Sequence, residues 1–182
     1  MAVSKLGKGK WLARVDKLYL RWVAYGMILV AVSLVQAAPR LLPVIGGAHP
    51  HPLMIAVVCI AMFEGPLVGA AVGVGSGLLW ALYADRLFGL DALLLLVVGC
   101  FCGLLVQVWL RNNWMTALLL NGAVVLAYTL VDWLLRYVLF AESQAFFALW
   151  HILLPNALYT FALSPIMYWL SYRIARNLRE TV

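Results

Sequence analysis

The chain has 182 residues, of which 66% are hydrophobic and only 11% charged, and its formal net charge is +6. A soluble domain carries roughly a quarter of its residues as charges, so this composition excludes an ordinary water-soluble fold and puts the chain in a membrane. Apolar runs recur along the whole length, which a single cleavable signal does not explain, and the positive charge is expected to serve topology and lipid contact rather than nucleic-acid binding.

In chain order, residues 1–21 mix Lys5, Lys8, Lys10, Arg14 and Lys17 with Trp11, Leu12 and Leu18. This segment is expected to lie on the anionic inner leaflet, where each cation contributes about 1 kcal/mol. A single polytopic membrane domain is predicted over 22–172 and a basic cytoplasmic tail over 173–182. A span needs about 20 apolar residues, which predicts crossings at 22–38, 66–84, 92–109, 115–140 and 146–172. The apolar stretch 50–63 is too short for a full hydrocarbon core, so it reads as a short span in a thinned bilayer or a helix that enters and returns. It ends at Glu64-Gly65-Pro66, where Gly permits a sharp turn and Pro suits the first position of the next helix.

Charge decides the number of crossings. With six, and a cytoplasmic N-terminus, Lys5, Lys8, Lys10, Arg14, Lys17, Arg21, Arg111, Arg173, Arg176 and Arg179 lie inside, and only Arg40, Arg86 and Arg136 lie outside. Five crossings would put one basic terminus on the outer face, against the positive-inside rule. The predicted fold class is an all-α membrane protein with six transmembrane helices, the second one short, and both termini cytoplasmic. Glu64 then falls in a tight inner turn, and Asp85, Asp91 and Glu142 fall in outer loops.

Gly65, Gly69, Gly73 and Gly77 recur at every fourth residue, with Ala70 and Ser76 beside them. Small residues on one helix face leave a groove into which another backbone can fit. The row is therefore a helix-packing surface, either for a partner or for the chain's own helices.

Ionisable groups in a bilayer are costly and so are functional candidates. Asp132 and Arg136, four residues apart, are expected to form a same-face ion pair at the outer boundary, with His151 near the same level. Asn121 and Asn156 lie deeper and are expected to bond across helices or to backbone carbonyls freed by Pro155. Trp80, Tyr83, Tyr128, Trp133 and Tyr159 read as interface anchors or as pocket lining, and no convergent polar cluster is evident.

Catalytic and metal patterns are not found. Val74-Gly75-Ser76-Gly77 lacks the first Gly of a rhomboid-type Gly-x-Ser-Gly site, and neither a His-Glu-x-x-His motif nor a pair of membrane-buried Asp residues is present. Cys59, Cys100 and Cys102 lie in apolar runs without zinc-ligand spacing and read as buried thiols. A non-enzyme without metal or cofactor is expected.

Several segments together resemble the MreD family of rod shape-determining proteins. They are the helix ending Gln36-Ala37-Ala38-Pro39, the Pro-rich stretch leading into a short helix from Pro50, the glycine-lined helix ending Gly77-Leu78-Leu79-Trp80, and Leu87-Phe88-Gly89-Leu90-Asp91-Ala92. The last helix, with Leu154-Pro155-Asn156 and Pro165 before Arg173, Arg176 and Arg179, also fits. One position departs: Ala81 stands where the family usually has Asp, and Asp85 lies one turn further on.

The resemblance implies a non-catalytic scaffold in the bacterial inner membrane that binds MreC and helps position peptidoglycan synthesis. Further partners it implies are the RodA glycosyltransferase, penicillin-binding protein 2 and MreB filaments, reached directly or indirectly. It also implies a fold similar to the vitamin-binding S subunits of energy-coupling-factor transporters, which is the alternative function.

Overall fold

Proline and glycine set the helix boundaries. The computed structural model describes residues 3–38, 50–82, 89–134, 150 and 153–178. All regular structure among them is helical: α1 (Val3–Ala37), α2 (Pro52–Glu64), α3 (Pro66–Ala81), α4 (Leu90–Val108), α5 (Trp114–Trp133), α6 (Leu154–Ala162) and α7 (Ser164–Leu178). Pro52 and Pro66 open α2 and α3, where the missing N–H is an orphan in any case. Gly65 joins these two helices at φ 91°, a backbone conformation that disfavours L side chains.

The last two helices are halves of one rod. Pro165 removes a donor at the second residue of α7, and the ladder tightens there: the Leu163 N–H donates to the Thr160 carbonyl three residues back, at 3.1 Å. Pro155 opens α6 rather than interrupting it.

Three helical stretches, Leu20–Ala37, Leu90–Val108 and Trp114–Trp133, are long and apolar enough to cross a membrane. The outside of the bundle is as apolar as its inside: Leu67, Leu82, Met115, Leu119 and Leu158 are strongly exposed. A surface of that kind is stable in lipid, not in water, and marks a membrane protein.

α1 differs from expectation, because the basic segment is not a separate element. The helix runs unbroken from Val3, and no proline interrupts the sequence before Pro39.

α2 occupies the centre of the bundle. Every residue from Pro52 to Met62 is buried, and α1, α3, α4, α5, α6 and α7 all pack on this helix. That explains an apolar sequence with no polar face: the helix is enclosed by protein on every side. The rods alternate in direction around it. One end of the bundle gathers Gln36, His51, Trp80, Asp91, Tyr128 and Thr160. The opposite end gathers Arg21, Glu64, Pro66, Gly103 and Asn112. We call these the His51 end and the Glu64 end.

The glycine row is filled by the chain itself. A Cβ on Gly69 would strike the Gly99 carbonyl and the Ala61 methyl, one on Gly73 would lie 2.6 Å from the Leu95 carbonyl carbon, and one on Gly77 would lie 2.6 Å from the Ala92 nitrogen. The fit is reciprocal, since Gly99 abuts Gly69 and Gly103 abuts Pro66. α3 and α4 thus pack backbone to backbone, and of the two readings of the row, a partner or the chain's own helices, the second holds at Gly69, Gly73 and Gly77. Gly65 stands apart from the row: a Cβ there would meet only Gln107 Oε1, at 3.9 Å, and its role is the turn. Ala70 is half-buried on α3, and Ser76 is fully buried, its hydroxyl without a hydrogen-bond partner among the described residues.

Candidate functional site

The densest polar cluster forms at the His51 end, where the first turn of α2 leaves backbone N–H groups without helical partners. His51, the N-cap of α2, donates its backbone N–H to Thr160 Oγ1 at 3.0 Å, and the Leu53 N–H reaches Gln36 Oε1 at 3.2 Å. The Thr160 hydroxyl in turn donates to the Asn156 carbonyl at 2.6 Å. Side chains of α1 and α6 therefore take up donors that lipid cannot satisfy.

Beside this tether the rings of His51, Trp80 and Tyr128 form a column, with centroids 4.8 Å and 5.9 Å apart. The Tyr128 hydroxyl closes it by donating to Asp91 Oδ1 at 2.8 Å. Asp91 is buried in the first turn of α4, where the positive end of the helix dipole favours a carboxylate. It was expected in an outer loop. Helix α4 starts earlier than the hydrophobic run suggested, because Gly89, at φ 101°, supplies the turn and Leu90 and Asp91 already belong to the helix. Trp80 and Tyr128 are core residues rather than interface anchors.

His51, Tyr128, Thr129, Asp132, Asn156 and Thr160 line a cavity of about 30 Å³. That is room for one or two waters, far short of the several hundred Å³ of a typical small-molecule site. A convergent polar cluster thus exists where none was expected. The sequence hid it because its members come from six different helices, each bringing one to three polar residues that looked unremarkable alone.

Among the predicted site residues, Asp132 and Asn156 come together here, and Arg136 and His151 lie outside the described residues. Asn121 is elsewhere, buried against α2, where its Nδ2 approaches Cys59 Sγ at 3.6 Å. Its Oδ1 has no partner among the described residues.

At the Glu64 end, Arg21 and Glu64 form an ion pair at 2.7 Å with side chains only 17% and 7% exposed, and the Tyr25 hydroxyl donates to Glu64 Oε1 at 2.9 Å. Their attraction fastens α1 to the α2–α3 turn. Asn112 Nδ2 donates to the Met62 carbonyl at 3.1 Å and so caps the end of α2. Between them, Glu64, Gly65, Gly103, Gln107 and Asn112 border a half-polar recess of about 290 Å³. In the sequence Arg21 reads only as a topological charge and Glu64 only as a turn residue; the structure joins them. No His, Cys, Asp or Glu grouping among the described residues is placed to hold a metal.

No protein-family model, no curated protein and no solved structure matches the chain.

Proposed function

We propose that the protein is a non-catalytic scaffold subunit of the bacterial cell-elongation complex. In this reading it spans the inner membrane six times with both termini cytoplasmic, binds MreC, and communicates with RodA, penicillin-binding protein 2 and MreB filaments. The resemblance to MreD motivates the partners. The alternating rods and the charge asymmetry support the topology, with the Glu64 end cytoplasmic.

The observation that carries the scaffold over the vitamin-binding alternative is the small space at the His51 end, the outer end in this reading, among the described residues. α2 plugs the centre of the bundle, and at the His51 end the polar groups close on one another around about 30 Å³. A vitamin needs roughly ten times that volume.

The test has two arms. Co-purification of MreC with the tagged full-length chain, and rounding of rod-shaped cells on its depletion, are the expected results. A vitamin retained at stoichiometric level in the purified protein, detected by mass spectrometry, would replace the scaffold with the transport subunit.

A further inference from the structure

We propose that the extension of α1 beyond the bundle is a docking rod for an amphipathic, acidic helix of a cytoplasmic partner. From the scaffold reading this takes only the cytoplasmic N-terminus.

Helix α1 is too long for the membrane. Its 35 residues rise about 52 Å, while its apolar part, Leu20–Ala37, rises about 27 Å, so about 25 Å of helix continue past the Glu64 end. Sharp bends need proline, glycine or an interrupted ladder, and neither proline nor glycine occurs between Lys10 and Tyr25. The helix therefore leaves the bundle along its own axis instead of lying flat on the inner leaflet, as the sequence alone suggested.

At about 100° per residue, Lys10, Arg14, Lys17 and Arg21 fall within about 60° of one another and form one basic stripe. The lowest member already holds a carboxylate, since Arg21 pairs with Glu64 at 2.7 Å. Trp11, Val15, Leu18 and Trp22 form an apolar stripe beside it, one residue further round the helix. Asp16, the one acidic residue before Glu64, lies off both stripes.

Height argues against lipid as the occupant. The headgroup layer extends about 5–8 Å past the hydrocarbon. Lys17, about 6 Å above Arg21, stays within it, whereas Arg14 and Lys10, about 10 Å and about 16 Å above, stand clear, and Lys10 is about a further Debye length away in physiological salt. A tilt of about 20° lowers these heights by less than about a tenth. A second copy is repelled by its identical cations. A helix with an apolar stripe flanked by Glu or Asp at three- and four-residue spacing satisfies both stripes, as in a two-stranded coiled coil.

The experiment uses the full chain in lipid nanodiscs containing anionic lipid. The probe is a fluorescent three-heptad synthetic helix with a Leu stripe flanked by Glu, and the control is a peptide of the same composition in scrambled order. Anisotropy should show the probe binding and the control not binding. Lys10→Glu/Arg14→Glu/Lys17→Glu should weaken the probe at least tenfold, as should raising salt from about 50 mM to about 300 mM, with the melting temperature unchanged. A photo-crosslinking residue in place of Val15 should capture the probe and, without the probe, no lipid; if the triple variant unfolds, this crosslink decides. Equal binding of both peptides, binding of neither, or crosslinks from Val15 to lipid would overturn the docking rod and leave the scaffold intact. An N-terminus labelled from outside in whole cells would remove the rod and the topology of the scaffold reading together.

Discussion

Replacing Gly73 with alanine adds one carbon where α3 and α4 meet backbone to backbone. The new Cβ would strike the Leu95 carbonyl, with its carbon 2.6 Å away and its oxygen nearer still, where ordinary contact begins at 3.4 Å, so α3 and α4 must part by more than about 0.8 Å. The obstacle is main chain, and no rotamer change can relieve it. Overpacking costs about 1–3 kcal/mol, and two rigid backbones put this case at the upper end. Alanine's better helix propensity returns up to about 1 kcal/mol, leaving a net loss of about 2 kcal/mol. For a chain of this size that is a fall of about 4–8 °C in melting temperature, read by thermal unfolding in detergent. Gly75→Ala is the matched control, since a Cβ there meets nothing within 4 Å. If Gly73→Ala melts with Gly75→Ala, α3 and α4 do not pack as described. Gly122→Ala sits between the two, because its Cβ would meet only the Phe161 ring, at 3.2 Å, and a side chain can give way.

Glu64→Gln leaves Arg21 buried without its counter-charge and should cost about 3 kcal/mol; adding Arg21→Met should recover at least half of that, and a double-mutant cycle showing no coupling would remove the ion pair from the account. Tyr128→Phe deletes the hydrogen bond to the Asp91 carboxylate and should cost about 1.5–3 kcal/mol in the same assay, while Asp91→Leu/Tyr128→Phe together should be milder than Asp91→Leu alone. A membrane-permeant maleimide should leave Cys59 unmodified in the folded protein and label it only after denaturation; rapid labelling of Cys59 would mean that α2 is not enclosed.

Local punctuation was legible in the sequence. Glu64-Gly65-Pro66 announced both a helix end and the next start, and the four-residue glycine spacing announced close packing. What the spacing lacked was the other half of the contact. Gly99 and Gly103 lie one turn apart on α4 and are the complement of Gly69 and Pro66, a pairing that only tertiary structure specifies. The His51-end cluster was hidden for a related reason. Gln36, His51, Trp80, Asp91, Tyr128 and Thr160 are scattered over more than a hundred positions, and single aromatic or acidic residues near helix ends resemble interface anchors and loop charges. Periodicity finds faces within one helix; it does not find ends that meet.

The enclosure of α2 frees that helix from the bilayer. Thirteen residues rise about 20 Å, and a lipid-exposed helix so short would have to thin the membrane around it. Its neighbours absorb that requirement, so its length answers to their spacing and not to hydrocarbon thickness. The same enclosure makes α2 a poor candidate for independent insertion during synthesis: its natural unit of entry is the α2–α3 pair, joined by a single glycine and completed when α4 closes over α3. Disease of assembly, rather than loss of any one contact, is the expected consequence of damage there, and it would register as protein that never accumulates in the membrane.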